Sequence, residues 1–221
     1  MLYIIRHGQT SNNKKKLLQG RSNNPLNEDG RTQSEEAGRK LRSLGIRPLR
    51  IYSSPLIRAI ETAKLAADVI SGRDVSAAHD APECRDGVGI AIDDRLIEMD
   101  YGPYEGMDLT DPAPEVIAFF QDFAGTPAPE GMEQLREVVS RVGEFLEEIR
   151  EEAARGDVII STHAIAMKGA LEYLTPDSNG SYWSKYIGNC EIYAAEASED
   201  GYGIPYSINA EDFDSKALRG V

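Results

Sequence analysis

The segment Leu2-Tyr3-Ile4-Ile5-Arg6-His7-Gly8-Gln9-Thr10 holds the strongest local evidence for how this 221-residue chain folds. Its apolar run from Leu2 to Ile5 stops at Arg6, a pattern typical of a buried strand. A histidine therefore follows directly on a strand of the predicted core. Because ligands bind at the carboxyl ends of the strands in an open parallel sheet, His7 stands where a functional residue is expected.

Short β-rich runs alternate with longer helical stretches along the rest of the chain. Strands are predicted over 2–5, 50–53 and 157–161, with weaker ones near 88–92, 191–195 and 204–208. Helices are predicted over 30–44, from an N-cap at Ser54 to about 70, over 132–154 and over 164–174. This alternation favours the α/β class: a three-layer sandwich with a mostly parallel central sheet flanked by helices.

The chain length suits one domain over residues 1–221. The stretch from 100 to 131 is rich in proline and carries one short apolar segment, so it predicts a small cap-like insertion with a single helix. Residues 71–89 predict a loop, and the last dozen residues predict a frayed end.

Composition excludes several classes of function. A net charge of −13 argues against nucleic acid as a partner, because the phosphate backbone would be repelled. No apolar run approaches the roughly 20 residues of a membrane helix, and the first residues do not resemble a signal peptide, so we expect a cytoplasmic protein. Two distant cysteines, Cys84 and Cys190, indicate neither a disulfide framework nor a thiolate zinc site.

Two of the three histidines follow predicted strands. His7 comes after the first strand and His163 after the strand over 157–161, while Arg58 lies near the start of a helix that follows a third strand. Together with Arg6 these residues predict a pocket for a phosphoryl group, with imidazole as nucleophile and guanidinium groups on the oxygens. From spacing alone, packed histidines and solvated arginines explain the pattern about equally well.

The same residues belong to longer motifs, and these motifs resemble those of the histidine phosphatase superfamily, the phosphoglycerate-mutase-like proteins. The matching segments stand in the family's order: Arg6-His7-Gly8-Gln9-Thr10 with Asn13, then Gly20, Pro25-Leu26, Gly30 and Gln33, then 53–63 (SSPLIRAIETA), then Leu96-Ile97-Glu98 with Tyr101-Gly102 and Glu105-Gly106, and last Ile160-Ser161-Thr162-His163. They span residues 2 to about 190.

The resemblance implies a role for each catalytic position. His7 would attack phosphorus and become a transient phosphohistidine. Arg6, Arg58 and His163 would hold the phosphoryl oxygens, and Glu98 would serve as general acid and then general base. Neither a cofactor nor a metal ion is implied.

Two further residues are expected to contact the substrate. Asn13 is expected to bind phosphate or substrate. Tyr104 is expected to form an apolar wall for the leaving group, together with Tyr101 and Met107. Core packing explains these three residues nearly as well.

The chain departs from the family pattern at three places. It has Ala164 after the second histidine where relatives often have glycine, Asn23 where aspartate is common, and Gly131-Met132-Glu133 where many carry Gly-Glu-Ser. None of these removes a catalytic group. They leave the details of the substrate open.

Three functions remain in competition after the resemblance. Hydrolysis of a small phosphorylated metabolite by a metal-independent histidine acid-type phosphatase is favoured, because the segment from Tyr101 to Met107 lacks the Lys-rich pattern of the glycolytic mutases. Phosphoglycerate-mutase-type transfer is the first alternative. A non-catalytic phosphate-binding regulatory protein is the second, and the intact set of candidate residues speaks against it. The oligomeric state, monomer or homodimer, stays open.

Overall fold

The computed structural model describes residues 1–73, 89–123 and 125–209. The predictions for Cys84 and for the last dozen residues lie outside the described residues. Six strands of the described chain form one sheet, in the order β3-β2-β4-β1-β5-β8. The strands are β1 Leu2–Arg6, β2 Pro48–Ser53, β3 Ile90–Ile92, β4 Asp157–Thr162, β5 Ile192–Ala195 and β8 Tyr206–Ser207, with β6 Ala197–Ser198 and β7 Gly201–Tyr202 forming a separate hairpin.

The sheet is mostly parallel, as the alternation of elements predicts. Strands β3, β2, β4 and β1 run parallel to one another, whereas β5 pairs antiparallel with β1, and β8 pairs antiparallel with β5. The helices are α1 Ser11–Lys14, α2 Glu28–Ser43, α3 Ile57–Ser71, α4 Pro114–Gln121, α5 Leu135–Arg155 and α6 Ala164–Leu174. The α/β class is confirmed.

Side chains that alternate along β1 enter two different hydrophobic clusters. Leu2 and Ile4 pack with residues of α5 and α6, while Tyr3 and Ile5 pack with residues of α2 and α3. Because successive side chains of a strand point to opposite faces, helices cover the sheet on both sides. This is the three-layer arrangement that the sequence predicts.

The start of helix α3 differs from the sequence-based prediction. Ser54 does not cap the helix; the N-cap is Leu56, which offers no side-chain acceptor. Instead, Oδ1 of Asn23 accepts a hydrogen bond from the backbone N–H of Ile57 at 2.7 Å. A residue distant in sequence therefore satisfies a donor of the first helical turn, and Ser54 is released for another contact.

The two ends of the proline-rich stretch 100–131 lie next to each other. The backbone N–H of Glu133 donates to the carbonyl of Asp100 at 2.8 Å, and a carboxylate oxygen of Glu133 accepts from the N–H of Asp100 at 3.0 Å. Gly102 has a φ of +50°, and a Cβ there would lie 2.1 Å from the carbonyl oxygen of Gly131. Only glycine allows the two ends to approach so closely.

Helix α4, the one α-helix among the described residues of the stretch 100–131, is anchored in the main core. Val116 and Phe119 are fully buried in the same cluster as Met99 and as Phe145 of α5. Within the described parts of the chain, no helix has the length and apolar character needed to cross a bilayer.

Candidate active site

The pairing of β1 with β4 brings the two predicted histidines together. Arg6 pairs with Thr162 at the ends of the two parallel strands, so His7 and His163 leave the sheet side by side. Their ring centroids lie 5.1 Å apart, and both side chains are buried. Strand β2, the other neighbour of β4, leads to Arg58, whose guanidinium reaches His7. The structure therefore gathers Arg6, His7, Arg58 and His163 at one edge of the sheet.

The hydrogen bonds of His7 determine where its ring proton lies. Nδ1 is 2.7 Å from the carbonyl oxygen of Gly8, which can only accept, so Nδ1 carries the proton. Nε2 lies 3.1 Å from Nε of Arg58, which can only donate, so Nε2 presents its lone pair. Burial, reinforced by the positive charges of Arg58 and Arg6, holds the pKa of His7 well below its usual value. The ring is neutral, and its Nε2 offers an unprotonated lone pair.

Arg58 is held by three directed hydrogen bonds. Besides Nε to His7, Nη1 donates to the carbonyl of Ser22 at 2.7 Å and Nη2 to the carbonyl of Gly20 at 2.6 Å. The side chain is fully buried, and this burial lowers its pKa to about 10, while the nearby Glu98 and Glu105 act in the opposite direction. The guanidinium is therefore a fixed cation beside His7.

Glu105 binds the loop that supplies these two carbonyls, residues 20–22. The Glu105 carboxylate accepts from the backbone N–H groups of Gly20, Arg21 and Ser22, at 2.9 to 3.2 Å. The loop thus presents N–H groups to Glu105 and carbonyls to Arg58. Glu105 belongs to the segment quoted for the family resemblance, but the sequence analysis gave it no role.

Three buried nitrogen atoms of this region have no hydrogen-bond partner among the described residues: Nε of Arg6, Nδ1 of His163 and Nε2 of Gln19. Arg6 and His163 adjoin His7, and Gln19 precedes Gly20, whose carbonyl binds Arg58. Buried polar atoms are rarely left unpaired, so these nitrogens indicate a place for an acceptor-rich ligand. The terminal nitrogen Nη1 of Arg6 donates to the carbonyl of Ile187, which fixes the orientation of that guanidinium.

Gln19 is a candidate that the sequence analysis missed. Its side-chain oxygen accepts from the hydroxyl of Thr10 at 2.6 Å, which leaves the amide nitrogen buried and free. The residue directly precedes Gly20, which was already part of the matching motifs. The sequence signal that could have indicated Gln19 is its position between Asn13 and Gly20, two residues of the matching motifs.

Glu98 lies at the amino-terminal end of α6. Its Oε1 accepts from the backbone N–H groups of Met99, Ile165 and Ala166 at 2.9 to 3.1 Å, and its Oε2 from Ile165 at 3.2 Å. The N–H groups at a helix start carry partial positive charge, so they hold this carboxylate in one orientation. Glu98 also lies close enough to Arg58 to act on its pKa.

Two predicted substrate contacts have other partners in the structure. The side-chain oxygen of Asn13 accepts from the backbone N–H of Thr10 at 3.1 Å and so completes the cap of α1. The hydroxyl of Tyr104 donates to Glu115 at 3.0 Å, and its ring packs against the core cluster. Tyr101 is buried instead, against Gly20. Substrate contacts by Asn13 and Tyr104 stay predictions.

A buried lysine adds positive charge that the sequence did not indicate. Lys168 of α6 donates from Nζ to the carbonyl of Trp183 at 2.7 Å, and its ammonium lies 5.1 Å from the centre of the Phe123 ring. Burial lowers its pKa to about 8, and the charge of Glu98 opposes that shift. The protein carries a large negative net charge, yet this region concentrates cations.

The fold and the geometry of this site are those of one class of protein, and comparison with known proteins identifies the same class. A sequence profile described as histidine phosphatase superfamily (branch 1) matches residues 2–207, and the chain belongs to this family. It is 29% identical over 213 residues to a bifunctional protein of Mycobacterium tuberculosis, an alignment that covers 94% of this chain and 53% of that protein. The chain therefore spans about half the length of the first curated relatives it matches.

Other relatives are covered over most of their length. A putative phosphoserine phosphatase 2 of Hydrogenobacter thermophilus is 26% identical over 194 residues, covering 86% of each chain. Phosphoglycerate mutases are also among the curated relatives. In three dimensions the chain is similar to a mycobacterial glucosyl-3-phosphoglycerate phosphatase in complex with VO3, with a TM-score of 0.74, 23% identity and coverage of 93% of this chain and 96% of that one. That likeness shows the fold.

Proposed function

We propose that this protein is a phosphomonoester hydrolase that acts through a phosphohistidine intermediate on a small phosphorylated metabolite. One observation carries the proposal: His7 is a buried, neutral imidazole whose Nδ1–H is bound to a carbonyl and whose Nε2 lone pair faces Arg58. An uncharged ring nitrogen is what nucleophilic attack on phosphorus needs. The unpaired nitrogens of Arg6 and His163 beside it, and that of Gln19 next to the Gly20 carbonyl that binds Arg58, supply contacts for phosphoryl oxygens.

The first half of the proposed reaction transfers the phosphoryl group to the protein. A phosphoryl oxygen takes the place of His7 Nε2 as the acceptor for Nε of Arg58, which frees the lone pair. Nε2 then forms a bond to phosphorus while the bond from phosphorus to the ester oxygen breaks. Glu98 gives a proton to the departing oxygen. Arg6, Arg58 and His163 stabilise the charge on the transferred group, with Asn13 as a further contact.

The second half returns the protein to its starting state. Glu98 takes a proton from a water molecule, whose oxygen attacks phosphorus as the bond to Nε2 breaks and inorganic phosphate leaves. The carbonyl of Gly8 keeps the proton of Nδ1 in place throughout, so the positive charge that develops on the ring is stabilised. The cationic side chains neutralise the phosphoryl charge, and no step calls for a metal ion or another cofactor.

Hydrolysis is proposed over mutase transfer because of the segment from Tyr101 to Met107. It lacks a Lys-rich pattern, and Glu105 within it binds the loop under Arg58. Since mutases are among the curated relatives, transfer within one substrate remains the second candidate.

The organisation of the protein is part of the same proposal. We take residues 1–221 as one domain with a cap-like insertion over 100–131, which would cover the leaving group. The cytoplasmic location also stays a prediction.

The proposal is tested with a chromogenic phosphomonoester in the presence of a chelator. The parent protein should hydrolyse it, and His7→Ala should be slower by at least about 10³-fold. His79→Ala, which changes the third histidine of the chain, is the matched control and should keep the parent rate. Equal rates for the parent and His7→Ala would reject the proposal.

A second measurement separates the two enzyme functions. With 3-phosphoglycerate as substrate, release of inorganic phosphate without 2-phosphoglycerate supports hydrolysis. Formation of 2-phosphoglycerate without free phosphate would overturn hydrolysis in favour of the mutase. Acid-labile phosphate trapped on the parent but not on His7→Ala would support the covalent intermediate.

A further inference from the structure

The two ring nitrogens of His163 have different surroundings. Nε2 lies 2.7 Å from the hydroxyl oxygen of Ser54, whereas Nδ1 is buried and has no partner among the described residues. Burial, together with the charges of Arg58 and of the neighbouring His7, holds the pKa of His163 well below its usual value. The ring is therefore neutral and carries a single proton, which must be on one of these two nitrogens.

The hydroxyl of Ser54 shows which nitrogen carries it. The Ser54 oxygen already accepts a hydrogen bond from the backbone N–H of Leu56 at 3.3 Å, and the whole side chain is buried. Its own hydrogen needs an acceptor, and Nε2 of His163 is the acceptor within reach among the described residues. In the opposite arrangement Nε2 would donate to Ser54, and the hydroxyl hydrogen would remain buried without an acceptor, which costs about 1–3 kcal/mol.

We propose that Ser54 is a positioning residue: it donates its hydroxyl hydrogen to Nε2 of His163 and so keeps the ring proton on Nδ1, where it serves as a donor to a phosphoryl oxygen. The placement of the proton follows from the contacts of Ser54 alone, while its use on a phosphoryl group rests on the proposed function. In the other tautomer the Nδ1 lone pair would face the anion, which would be repelled.

The start of α3 agrees with this role. Ser-Pro before a helix is a common capping sequence, yet the hydroxyl of Ser54 is directed to His163. Asn23 supplies an acceptor for the N–H of Ile57 in its place. The serine is thus available to the histidine without leaving that helical N–H unpaired.

The tautomer can be measured directly by ¹⁵N NMR of the side chains, since the chain has three histidines. A long-range ¹⁵N–¹H correlation spectrum distinguishes a protonated from an unprotonated ring nitrogen, and spectra of His163→Gln and His79→Gln assign the signals. We expect His163 in the wild-type protein to be protonated on Nδ1. Protonation of Nε2 instead would overturn the proposal, and this measurement requires no variant of Ser54 to fold.

The role of Ser54 is tested with a matched pair of variants. Ser54→Ala removes the hydroxyl that contacts His163. Ser53→Ala removes an equally buried neighbouring hydroxyl, which donates to the carbonyl of Ser54 and does not contact the ring. We expect Ser54→Ala to shift the ring proton of His163 from Nδ1 toward Nε2. Ser53→Ala should leave the spectrum of His163 as in the wild type. Ser54→Thr, which keeps a hydroxyl at this position, should keep the proton on Nδ1. An unchanged tautomer in Ser54→Ala would reject the proposal.

The functional consequence is measured with inorganic phosphate as the probe. Phosphate should shift the Nδ1–H resonance of His163 in the wild type, and Ser54→Ala should bind phosphate about tenfold more weakly, the effect of one lost charge-assisted hydrogen bond. If phosphate binds and leaves the His163 resonance unmoved, the donor role is wrong. If no phosphomonoester is hydrolysed but the tautomer is as stated, the proposed function fails and the placement of the proton stands.

Discussion

The Nε–H of Arg58 donates a hydrogen bond to Nε2 of His7 over 3.1 Å. A guanidinium has no acceptor to offer, so this contact excludes a proton from the very nitrogen that the proposed chemistry uses. The carbonyl of Gly8 fixes the proton on the other side of the ring. The ring of His7 is thus oriented and neutral before any substrate arrives, which is the preorganisation that the proposed chemistry needs.

The stability of the protein should fall as the pH decreases below 6.5. His7 and His163 both have pKa values well below the usual 6.5 in the folded state. Between the folded pKa and 6.5, the unfolded chain therefore binds more protons than the folded one, and the free energy of unfolding rises with pH through this window. Above pH 6.5 both states are unprotonated at these sites, so the histidines add no pH dependence there.

Urea denaturation at several pH values checks this. The wild type should lose more stability between pH 6.5 and pH 5 than a His7→Gln, His163→Gln double variant, and the difference in slope should approach one proton per histidine. Identical slopes in the two proteins would show that the buried rings do not resist protonation.

Arg58→Lys should lower kcat/KM by about 10²- to 10³-fold. A lysine has the same charge, but its donors are all on one nitrogen atom. It cannot reach His7 and the carbonyls of Gly20 and Ser22, which Arg58 contacts from three separate nitrogens. Steady-state kinetics on a chromogenic phosphomonoester measures the loss. Arg39→Lys, on the exposed side of α2 in a surface pair with Glu35, is the control and should stay within about twofold of the parent rate. If Arg58→Lys lowered kcat/KM only slightly, the positive charge at this position would be sufficient without the three directed hydrogen bonds.

Glu105→Ala should damage both stability and phosphate affinity, although Glu105 does not contact His7. The substitution leaves the N–H groups of Gly20, Arg21 and Ser22 without their acceptor, which predicts a loss of about 1–3 kcal/mol in the free energy of unfolding. The loop that orients Arg58 would then be less ordered, so inorganic phosphate should inhibit more weakly.

Glu115→Ala is the companion variant. It removes an exposed carboxylate that bonds only to the hydroxyl of Tyr104 among the described contacts, and it should change stability by no more than about 0.5 kcal/mol. Phosphate inhibition as strong in Glu105→Ala as in the parent would show that Glu105 does not position Arg58.

Phe119→Ala should destabilise the whole protein by about 3–5 kcal/mol, because the ring is fully buried in the cluster that also contains Phe145 of α5. Ile117→Ala, on the exposed face of the same helix at 38% exposure, should cost far less. Thermal or chemical unfolding measures both. A Phe119→Ala variant that unfolds like the parent would indicate that the insertion packs independently of the main core.

The fold was largely predictable because its main elements have strong local patterns. The apolar runs of β1 and β4 and the bounds of α6, Ala164–Leu174, agree with the sequence-based prediction closely. The antiparallel pairing of β5 with β1 and of β8 with β5, and the small β6-β7 hairpin, were not predicted. Strand direction depends on how the chain returns to the sheet, which short, weakly patterned segments do not reveal.

The site was predictable where residues follow strands, and less so where contacts join distant loops. His7 and His163 converge because each follows the carboxyl end of one of two neighbouring parallel strands. The role of Ser54 was misassigned because its local sequence is that of a helix cap, while its actual partner is 109 residues away. Gln19 and Lys168 were missed because only the folded structure shows that their polar ends are buried.

The central place of β1 in the sheet has a consequence for synthesis of the chain. Its neighbours are β4 and β5, and Leu2 pairs with Val158 and Ala195. At about 5–20 residues per second, a ribosome needs roughly 8 to 30 seconds to make the residues that separate β1 from β4. During that time the apolar strand has both edges unpaired and is open to aggregation. The strand that precedes His7 therefore depends on protection while the rest of the protein is being made.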